Sequence, residues 1–198
     1  MKKKFEIETT TIETKFGDFR FHCFSWGKHE EDNILVLQNE NIKTVPLVRI
    51  QSACYTAEIF RSLDCDCHAQ LSKSQQLIAE HGGYLIYMLC DGRGAGLLNK
   101  VRGLELGRLQ GMDTSEAYKH LNIEQDPRSY SRVSEVLNHF TLKEINLLTN
   151  NPRKIDAIAS SGIKVTRTPL EIESTRSSAP YLKTKALKMG HMLSEFLK

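Results

Sequence analysis

The sequence GYLIYMLCDGRGAG, residues 83–96, joins a nearly continuous apolar run to a glycine-rich loop. An apolar run of this length predicts a strand that is buried on both faces of a sheet. A helix is predicted directly after the loop, from about Leu97 to Leu109. Because ligands of α/β proteins bind where strands end and helices begin, the loop DGRGAG is a candidate anion site. The alternative is a glycine-rich turn that binds no ligand.

The flanking segments continue the alternation of strands and helices. Further strands are predicted at ILVLQ (34–38), VPLVRIQ (45–51), EINLLT (144–149) and IKVTRTPL (163–170). Longer helices are predicted from Cys67 to Gly82 and within NNPRKIDAIASSG, residues 150–162. Alternation of this kind from residue 45 to 170 predicts an α/β fold with a mostly parallel mixed sheet that is flanked by helices.

The remaining elements are shorter. The N-terminal segments KFEIETTTIET and DFRFHCFSW, joined through KFGD, predict an antiparallel hairpin. Short helices are predicted at Thr56–Leu63, Thr114–Leu121 and Arg128–Phe140, with Thr114 as the N-cap of the second.

Length and composition are typical of a globular protein. The 198 residues are 40% hydrophobic and 26% charged, which predicts one domain over residues 1–198 with a substantial core. No run approaches the roughly 18–20 apolar residues of a membrane span, and MKKKFEIETT lacks the apolar part of a signal peptide. Five cysteines without such a signal favour a reducing compartment and predict a cytoplasmic location. Cys23 and Cys90 lie in apolar runs and are predicted to be inert buried thiols.

The charge pattern disfavours a nucleic-acid partner. The net charge of +3 is small, although it suits an anionic small substrate if the charges converge on one site. The basic segment YLKTKALKMGHMLSEFLK, residues 181–198, has little aromatic interleaving. It is therefore predicted to be a solvated helix or tail, preceded by a polar loop from about residue 171.

Three cysteines, Cys54, Cys65 and Cys67, form the most informative side-chain pattern. Three thiolates are a ligand set for zinc, and they leave the fourth tetrahedral position open for a water. An extended backbone points Cys65 and Cys67 the same way, because one residue separates them. The alternatives are a closed structural site, with His68 or Asp66 as fourth ligand, and no metal at all. Three thiolates on Zn²⁺ leave a net charge of −1, so a catalytic water would need a nearby base or cation.

Two further segments carry charged side chains at candidate ligand positions. The carboxylate of Asp126 and the guanidinium of Arg128 could act as a base and an anion clamp. The alternative for Asp126 is an N-cap, followed by proline at the first helical position. The segment LTNNPRK, residues 148–154, carries one hydroxyl and two cations at a strand end and suits a polyphosphate.

Taken together, these segments resemble the GTP cyclohydrolase II family over about residues 16–193. The matching motifs are the C-x10-C-x-C trio, GLLNKVR at 96–102, MDTSEA at 112–117, DPR at 126–128, LLTNNPRKI at 147–155, and YLKTKALKMGHML at 181–193. The resemblance implies an enzyme that opens the imidazole ring of GTP and releases formate and pyrophosphate. It also implies Zn²⁺ for the ring chemistry, Mg²⁺ with the phosphates, and a homodimer.

The resemblance also implies roles for individual residues. Cys54, Cys65 and Cys67 would hold the zinc, and Asp126 would be the proton acceptor. Arg128 is the residue that the family assigns as a nucleophile toward the α-phosphate, but a protonated guanidinium better suits charge stabilisation. The residues expected to contact GTP are Arg49, Ile50, Gln51, Ser52, Ala53, Gln70, Asp91, Gly92, Arg93, Thr114, Thr149 and Lys154.

The chain departs from the family pattern at three places. A catalytic tyrosine of the family falls on Leu104, and a glutamate of the family falls on Ala53. The Gln-Glu-Gly-Arg of the family is Cys90-Asp91-Gly92-Arg93 here, which shortens the acid by one methylene. Changes at Ala53 and Asp91 could alter recognition of the purine base.

The departure at Leu104 leaves three outcomes open. Another residue, such as Tyr130 or His120, could replace the lost hydroxyl, so that the usual diaminopyrimidine forms. Alternatively the enzyme opens the ring but retains the formyl group, because a hydroxyl that orients an intermediate is worth about 10²–10⁴ in rate. The third outcome is a zinc- and nucleotide-binding paralogue without activity.

Overall fold

The structure, a computed structural model, describes residues 5–42 and 44–196. Lys4 of the predicted first strand and residues 197 and 198 of the predicted C-terminal segment lie outside the described residues. The chain forms two compact units. Unit 1 comprises the ranges 1–51, 71–89 and 130–170, and unit 2 comprises 52–70, 90–129 and 171–198. The prediction of one domain over residues 1–198 stays a prediction.

A seven-stranded sheet is found in the described part of the chain. Its strands are β1 (Glu6–Thr14), β2 (Gly17–Ser25), β3 (Asn33–Asn39), β4 (Leu47–Ser52), β5 (Gly83–Met88), β6 (Glu144–Leu148) and β7 (Lys164–Thr168). Their order in the sheet is β1-β2-β3-β5-β4-β6-β7. Antiparallel pairs join β1 to β2, β2 to β3 and β3 to β5, whereas β4–β6 and β6–β7 are parallel.

The described residues also form seven α-helices. They are α1 (Tyr55–Glu58), α2 (Cys67–His81), α3 (Leu97–Gln110), α4 (Thr114–His120), α5 (Ser131–His139), α6 (Pro152–Ala159) and α7 (Ala179–Met189). The predicted α/β fold with a mixed sheet, helices and an N-terminal antiparallel hairpin is confirmed. No helix among the described residues is long and apolar enough to cross a bilayer.

Glycine at position 83 is required where α2 gives way to β5. Gly83 has a φ of +140°, and a Cβ placed there would lie 1.9 Å from the carbonyl oxygen of Leu47 in β4. Only glycine permits so close an approach of two backbones. The residues that follow are almost all buried, from Tyr84 to Met88. The predicted buried strand therefore begins at this contact.

Each unit has its own apolar packing. In unit 1, Phe19, Leu37, Ile78 and Leu85 form a buried cluster between strands and α2. In unit 2, Leu182, Ala186 and Leu193 form a smaller buried cluster around α7. The stretch from residue 181 was predicted to be solvated. That prediction is wrong for α7, because one side of the helix is buried.

Three local predictions are corrected. The N-cap of α4 is Asp113 and not Thr114, since the Asp113 carboxylate accepts hydrogen bonds from the Ser115 and Glu116 amides. The helix predicted over residues 56–63 ends at Glu58, and Arg61 beyond it has a left-handed φ of 59°. The helix predicted from residue 128 begins at Ser131.

The start of α5 also decides between two hypotheses for Asp126. An N-cap lies directly before its helix, whereas Asp126 lies five residues before Ser131. The N-cap alternative is therefore wrong. The Asp126 side chain instead forms an ion pair with Arg128.

Candidate functional site

The three predicted zinc ligands lie together in unit 2. The Sγ atoms of Cys54, Cys65 and Cys67 all lie within 4.8 Å of one another, and those of Cys54 and Cys65 are 3.7 Å apart. Cys54 directly precedes α1, and Cys67 is the first residue of α2. The structure therefore brings the sulfur of Cys54 to those of the Cys-x-Cys segment.

The sulfur spacing fits a metal ion better than a disulfide. Thiolates that bind one tetrahedral zinc at about 2.3 Å lie about 3.8 Å apart. A disulfide would bring two sulfurs to about 2.05 Å, and all five cysteines of the chain are free. Among the described residues, the group that could hold a metal contains Cys54, Cys65 and Cys67, without Asp66 or His68. The trio therefore fits a zinc ion with three protein ligands.

Hydrogen bonds within the trio set the protonation of its thiols. Hydrogen bonds from Cys65 and Cys67 lower the pKa of Cys54, and the nearby charge of Lys100 lowers it further against the effect of burial. The hydrogen bond to Cys54 raises the pKa of Cys65 to about 11, and the same contact raises that of Cys67. These contacts therefore favour a thiolate on Cys54 over one on Cys65 or Cys67.

A partly buried cation connects this trio to the glycine-rich loop. The Lys100 ammonium on α3 lies 3.2 Å from the Cys54 sulfur and 2.8 Å from the Asp91 carboxylate. Burial opposes the charge of Lys100, but the hydrogen bond to Asp91 and the charge on Cys54 raise its pKa above the ordinary value. Asp91 also accepts a hydrogen bond from the Tyr55 amide at 2.8 Å. Asp91 thus fixes the loop to the segment that carries Cys54.

The loop itself holds an arginine in an unusual environment. Arg93 has a left-handed φ of 58°, and both terminal nitrogens of its guanidinium are buried without a hydrogen-bond partner among the described residues. Its guanidinium carbon lies 6.0 Å from the centre of the Tyr181 ring. Buried N–H donors that lack an acceptor are costly, and an anionic ligand would satisfy them.

Asp126, the predicted base, and Arg128, the predicted anion clamp, form an ion pair beside this loop. Arg128 donates from Nε and Nη2 to both carboxylate oxygens of Asp126, at 2.6 and 2.7 Å, and from Nη1 to the Ser52 hydroxyl at 3.2 Å. A Cβ on Gly94 would lie 3.2 Å from Cγ of Arg128, so glycine allows the loop to approach this side chain. The structure therefore brings together Ser52, Asp126, Arg128 and the loop, all of which the resemblance assigns to the GTP site.

A second cluster of predicted residues lies in unit 1, at the carboxyl ends of β4 and β6. The buried Arg49 guanidinium donates to the Gln51 side chain and to the carbonyl oxygen of Leu148, the latter at 3.0 Å. Lys154 on α6 donates to the carbonyl oxygen of Ile50 at 2.7 Å. Parallel strands end side by side at one sheet edge, which explains why residues 100 positions apart meet here.

Four further residues that were predicted to contact GTP lie at or close to the ends of strands and helices. Thr149 directly follows β6, and its hydroxyl accepts a hydrogen bond from the Asn151 amide at 3.0 Å. Gln70 on α2 donates to the Asp66 carboxylate, and Thr114 is the first residue of α4. Ala53 is buried directly before Cys54.

Leu104, at the position of the family tyrosine, and the two residues that could replace the tyrosine hydroxyl lie in different environments. Leu104 is 43% exposed on α3, one turn after Lys100. Tyr130 is buried in unit 1, whereas His120 is exposed at the end of α4 in unit 2. Another buried phenol of unit 2, Tyr118, donates its hydroxyl to the carbonyl oxygen of Gly92 at 3.0 Å.

Two cations near the three cysteines were not among the predicted site residues. Lys100 contacts Cys54, and Lys185 on α7 forms an ion pair at 3.3 Å with Asp66, which lies between two of the cysteines. The excess negative charge of a three-thiolate zinc site predicted a nearby cation. The motif GLLNKVR already contained Lys100, but nothing local to the sequence assigned its ammonium to the trio.

Comparison with known proteins agrees with this arrangement. A sequence model described as GTP cyclohydrolase II matches residues 4–169. The chain is 41% identical to the GTP cyclohydrolase-2 of Buchnera aphidicola subsp. Schizaphis graminum over 191 residues, which cover 95% of this chain and 97% of that protein.

Longer proteins are similar as well. The riboflavin biosynthesis protein RibBA of Staphylococcus saprophyticus is 41% identical over 181 residues, which cover 91% of this chain and 46% of that protein. The chain thus spans about half the length of the RibBA relatives that it matches. The solved RibBX of A. baumannii, a two-domain 3,4-dihydroxy-2-butanone 4-phosphate synthase, is 16% identical over 83% of this chain and 41% of that one. Its TM-score of 0.46 is too low to support a structural argument.

Proposed function

The chain belongs to the GTP cyclohydrolase II family, and we propose that it opens the imidazole ring of GTP with release of formate and pyrophosphate. The product would be 2,5-diamino-6-ribosylamino-pyrimidinone 5′-phosphate, in riboflavin biosynthesis. The observation that carries this proposal is the convergence of three cysteine sulfurs within 4.8 Å, beside the partly buried Lys100. Three protein ligands leave the fourth tetrahedral position open, as a catalytic zinc site requires.

Cys54, Cys65 and Cys67 would hold one Zn²⁺ per chain. When bound, zinc activates a water and polarises the group under attack, which suits opening of a purine at C8. Lys100 would offset the negative charge that three thiolates leave on the metal, because its ammonium lies against the Cys54 sulfur. Mg²⁺ would accompany the phosphates of the substrate.

Asp126 and Arg128 would act as a coupled pair. Asp126 is the proposed proton acceptor, and its two oxygens are oriented by the Arg128 guanidinium. Arg128 would stabilise negative charge on the α-phosphate, since a guanidinium stays protonated and presents donors in a fixed plane. The Ser52 hydroxyl helps to orient that plane.

Two observations support the proposed contacts to GTP. In unit 2, the buried donors of Arg93 support an anionic ligand at the loop. In unit 1, Arg49 and Lys154 are cations that lie close to the carboxyl ends of β4 and β6, which supports phosphate binding there. The full proposed set is Arg49, Ile50, Gln51, Ser52, Ala53, Gln70, Asp91, Gly92, Arg93, Thr114, Thr149 and Lys154.

The location and assembly of the protein are also proposed. Five free cysteines support a reducing compartment such as the cytoplasm. A homodimer is supported by the apolar side chains that α3 exposes over one side, namely Leu97, Leu98, Val101, Leu104 and Leu109. Sedimentation velocity would test the dimer, with a monomer as the contrary result.

The test of the proposed reaction is mass spectrometry of the product. Zinc-loaded protein is incubated with GTP and magnesium, and formate is assayed in parallel. The deformylated diaminopyrimidine with one formate per GTP would support the proposal. A stoichiometric zinc site without turnover would overturn it and favour the nucleotide-binding paralogue.

A second candidate function rests on Leu104. This position lies one helical turn beyond the lysine that contacts Cys54, so a tyrosine there could reach toward the metal side of α3. Without that hydroxyl the enzyme would open the ring and retain the formyl group, as in a specialised pathway. A product heavier by one formyl group, with no formate, would support this candidate. In that case Leu104→Tyr should restore formate release by about 10²-fold or more.

A further inference from the structure

Helix α7 is attached to three different parts of unit 2 that carry proposed site residues. Its side chains contact the Cys65–Cys67 segment, the start of α4 and the glycine-rich loop. None of its residues is among the proposed metal ligands or GTP contacts. The family model that matches this chain also ends at residue 169, ten residues before α7 begins.

The strongest of these attachments is buried. The Lys185 ammonium lies 3.3 Å from the Asp66 carboxylate, and the two side chains are only 12% and 3% exposed. Gln70 Nε2 donates to the other Asp66 oxygen, so both oxygens of this carboxylate are held. A buried ion pair with these additional hydrogen bonds has a well-defined geometry.

Two weaker attachments fix the two ends of the helix. Lys188 forms ion pairs with Asp113 and Glu116, the two residues of the capping box at the start of α4. Tyr181, one turn before Lys185, packs its ring against the Lys185 ammonium at 4.3 Å and faces the Arg93 guanidinium at 6.0 Å. The helix is therefore held along its whole length, and its position at the cysteine segment is defined.

We propose that α7 positions the zinc ligands, and that Lys185 is the positioning residue which acts through Asp66. This inference rests on the proposed zinc site. Asp66 lies between Cys65 and Cys67, so the side chain that Lys185 anchors belongs to the backbone segment that carries both thiols. Fixing Asp66 restricts rotation of that segment and keeps both sulfurs directed toward Cys54. The ammonium also adds a second positive charge, after Lys100, beside a site with excess negative charge.

The test compares three substitutions on one helix. Lys185→Met removes the charge and keeps much of the side-chain volume, whereas Lys185→Arg keeps the charge. Lys183→Met is the matched control, because Lys183 is exposed on the same helix. Each zinc-loaded variant is mixed with a chromogenic chelator, and the rate of zinc transfer is measured at a temperature well below the thermal midpoint of every variant.

The expected result is faster release of zinc from Lys185→Met only. Loss of an outer partner of a metal ligand set lowers metal affinity by about 10–100-fold, and release should accelerate to a similar extent. Lys185→Arg should stay within about threefold of the wild type, and Lys183→Met should match it. A wild-type release rate in folded Lys185→Met would overturn the inference and leave the proposed function intact. A wild-type protein that takes up no zinc would overturn both.

A measurement without metal separates positioning of the segment from zinc chemistry. Hydrogen–deuterium exchange of metal-free protein should accelerate at residues 62–70 in Lys185→Met and stay unchanged in Lys183→Met. Unchanged exchange in both variants would contradict the inference.

The double variant Lys185→Met/Asp66→Asn covers the case in which the single variant does not fold. It removes both charges together and therefore leaves no unpaired buried carboxylate. It should also release zinc faster than the wild type, and wild-type retention would overturn the inference.

Discussion

The cations of unit 1 and those of unit 2 have different kinds of partners. Arg49 in unit 1 donates to the side-chain oxygen of Gln51 and to the carbonyl oxygen of Leu148, and Lys154 donates to the carbonyl oxygen of Ile50. Lys100, Arg128 and Lys185 in unit 2 each form an ion pair with an aspartate. Hydrogen bonds to carbonyl oxygens orient the cations of unit 1, whereas ion pairs connect the cations of unit 2 to neighbouring carboxylates. The two units thus hold the same residue types through different contacts.

The largest expected effect removes a member of the trio. Cys65→Ser should abolish stoichiometric zinc binding and lower GTP ring opening by about 10³-fold or more, since two thiolates no longer complete the ligand set. Metal analysis and steady-state assays measure the two quantities. Cys23→Ser is the matched control, because Cys23 lies in β2 and is not among the proposed ligands. Full zinc and full activity in Cys65→Ser would remove the basis for assigning zinc to unit 2.

The next-largest effect tests whether ion pairs stabilise unit 2. Lys100→Met should lower the free energy of unfolding by about 3–5 kcal/mol, because it leaves the buried Asp91 carboxylate uncompensated. Urea unfolding of metal-free protein measures this change. The double variant Lys100→Met/Asp91→Asn should recover most of the loss. A single variant as stable as the wild type would show that the pair contributes no rigidity.

Arg128→Lys tests geometry at constant charge. A lysine cannot reproduce the two parallel hydrogen bonds to Asp126, so kcat should fall by about 10²-fold while the protein stays folded. Steady-state kinetics and circular dichroism measure these properties. Arg132→Lys is a suitable control, since Arg132 forms a more exposed ion pair with Asp32. Retention of full kcat would indicate that charge alone matters at position 128.

The smallest effect concerns the cations of unit 1. Lys154→Met should raise KM for GTP by about 10–100-fold with a smaller change in kcat, because a charged hydrogen bond contributes about 1.5–3 kcal/mol. Lys164→Met, which removes an exposed lysine from β7, should leave KM unchanged. If the two variants behave alike, the contrast between the units does not extend to substrate binding.

Some features of both units could be predicted from local sequence patterns, whereas others could not. The apolar run from Gly83 and the alternation in the first two strands depend on neighbouring residues, and both predictions are confirmed. The N-cap of α4 was misplaced by one residue, because Asp113 and Thr114 are both favourable caps and only the backbone geometry selects Asp113. Asp126 likewise has a residue type that suits an N-cap, yet its carboxylate forms an ion pair with Arg128. Residue type alone did not distinguish these two roles.

Local sequence patterns did not predict the environment of the basic C-terminal segment. Its composition suggested a solvated helix, yet Lys185 is nearly buried beside Asp66, 119 residues earlier in the chain. A lysine is rarely buried without a partner, and that partner is set by packing and not by sequence neighbours. The burial of Lys185 could therefore not be predicted from residues 181–198 themselves.

The sequence by itself determined the elements of the α/β fold, the three thiols that could bind a metal and the resemblance to one enzyme family. These depend on residue type and spacing, which the chain carries before it folds. Only the tertiary structure decided which cation lies against Cys54, which carboxylate Arg128 orients, and which helix holds Asp66. Each of these is a contact between residues brought together by packing, and its energy depends on burial that no local stretch of sequence contains.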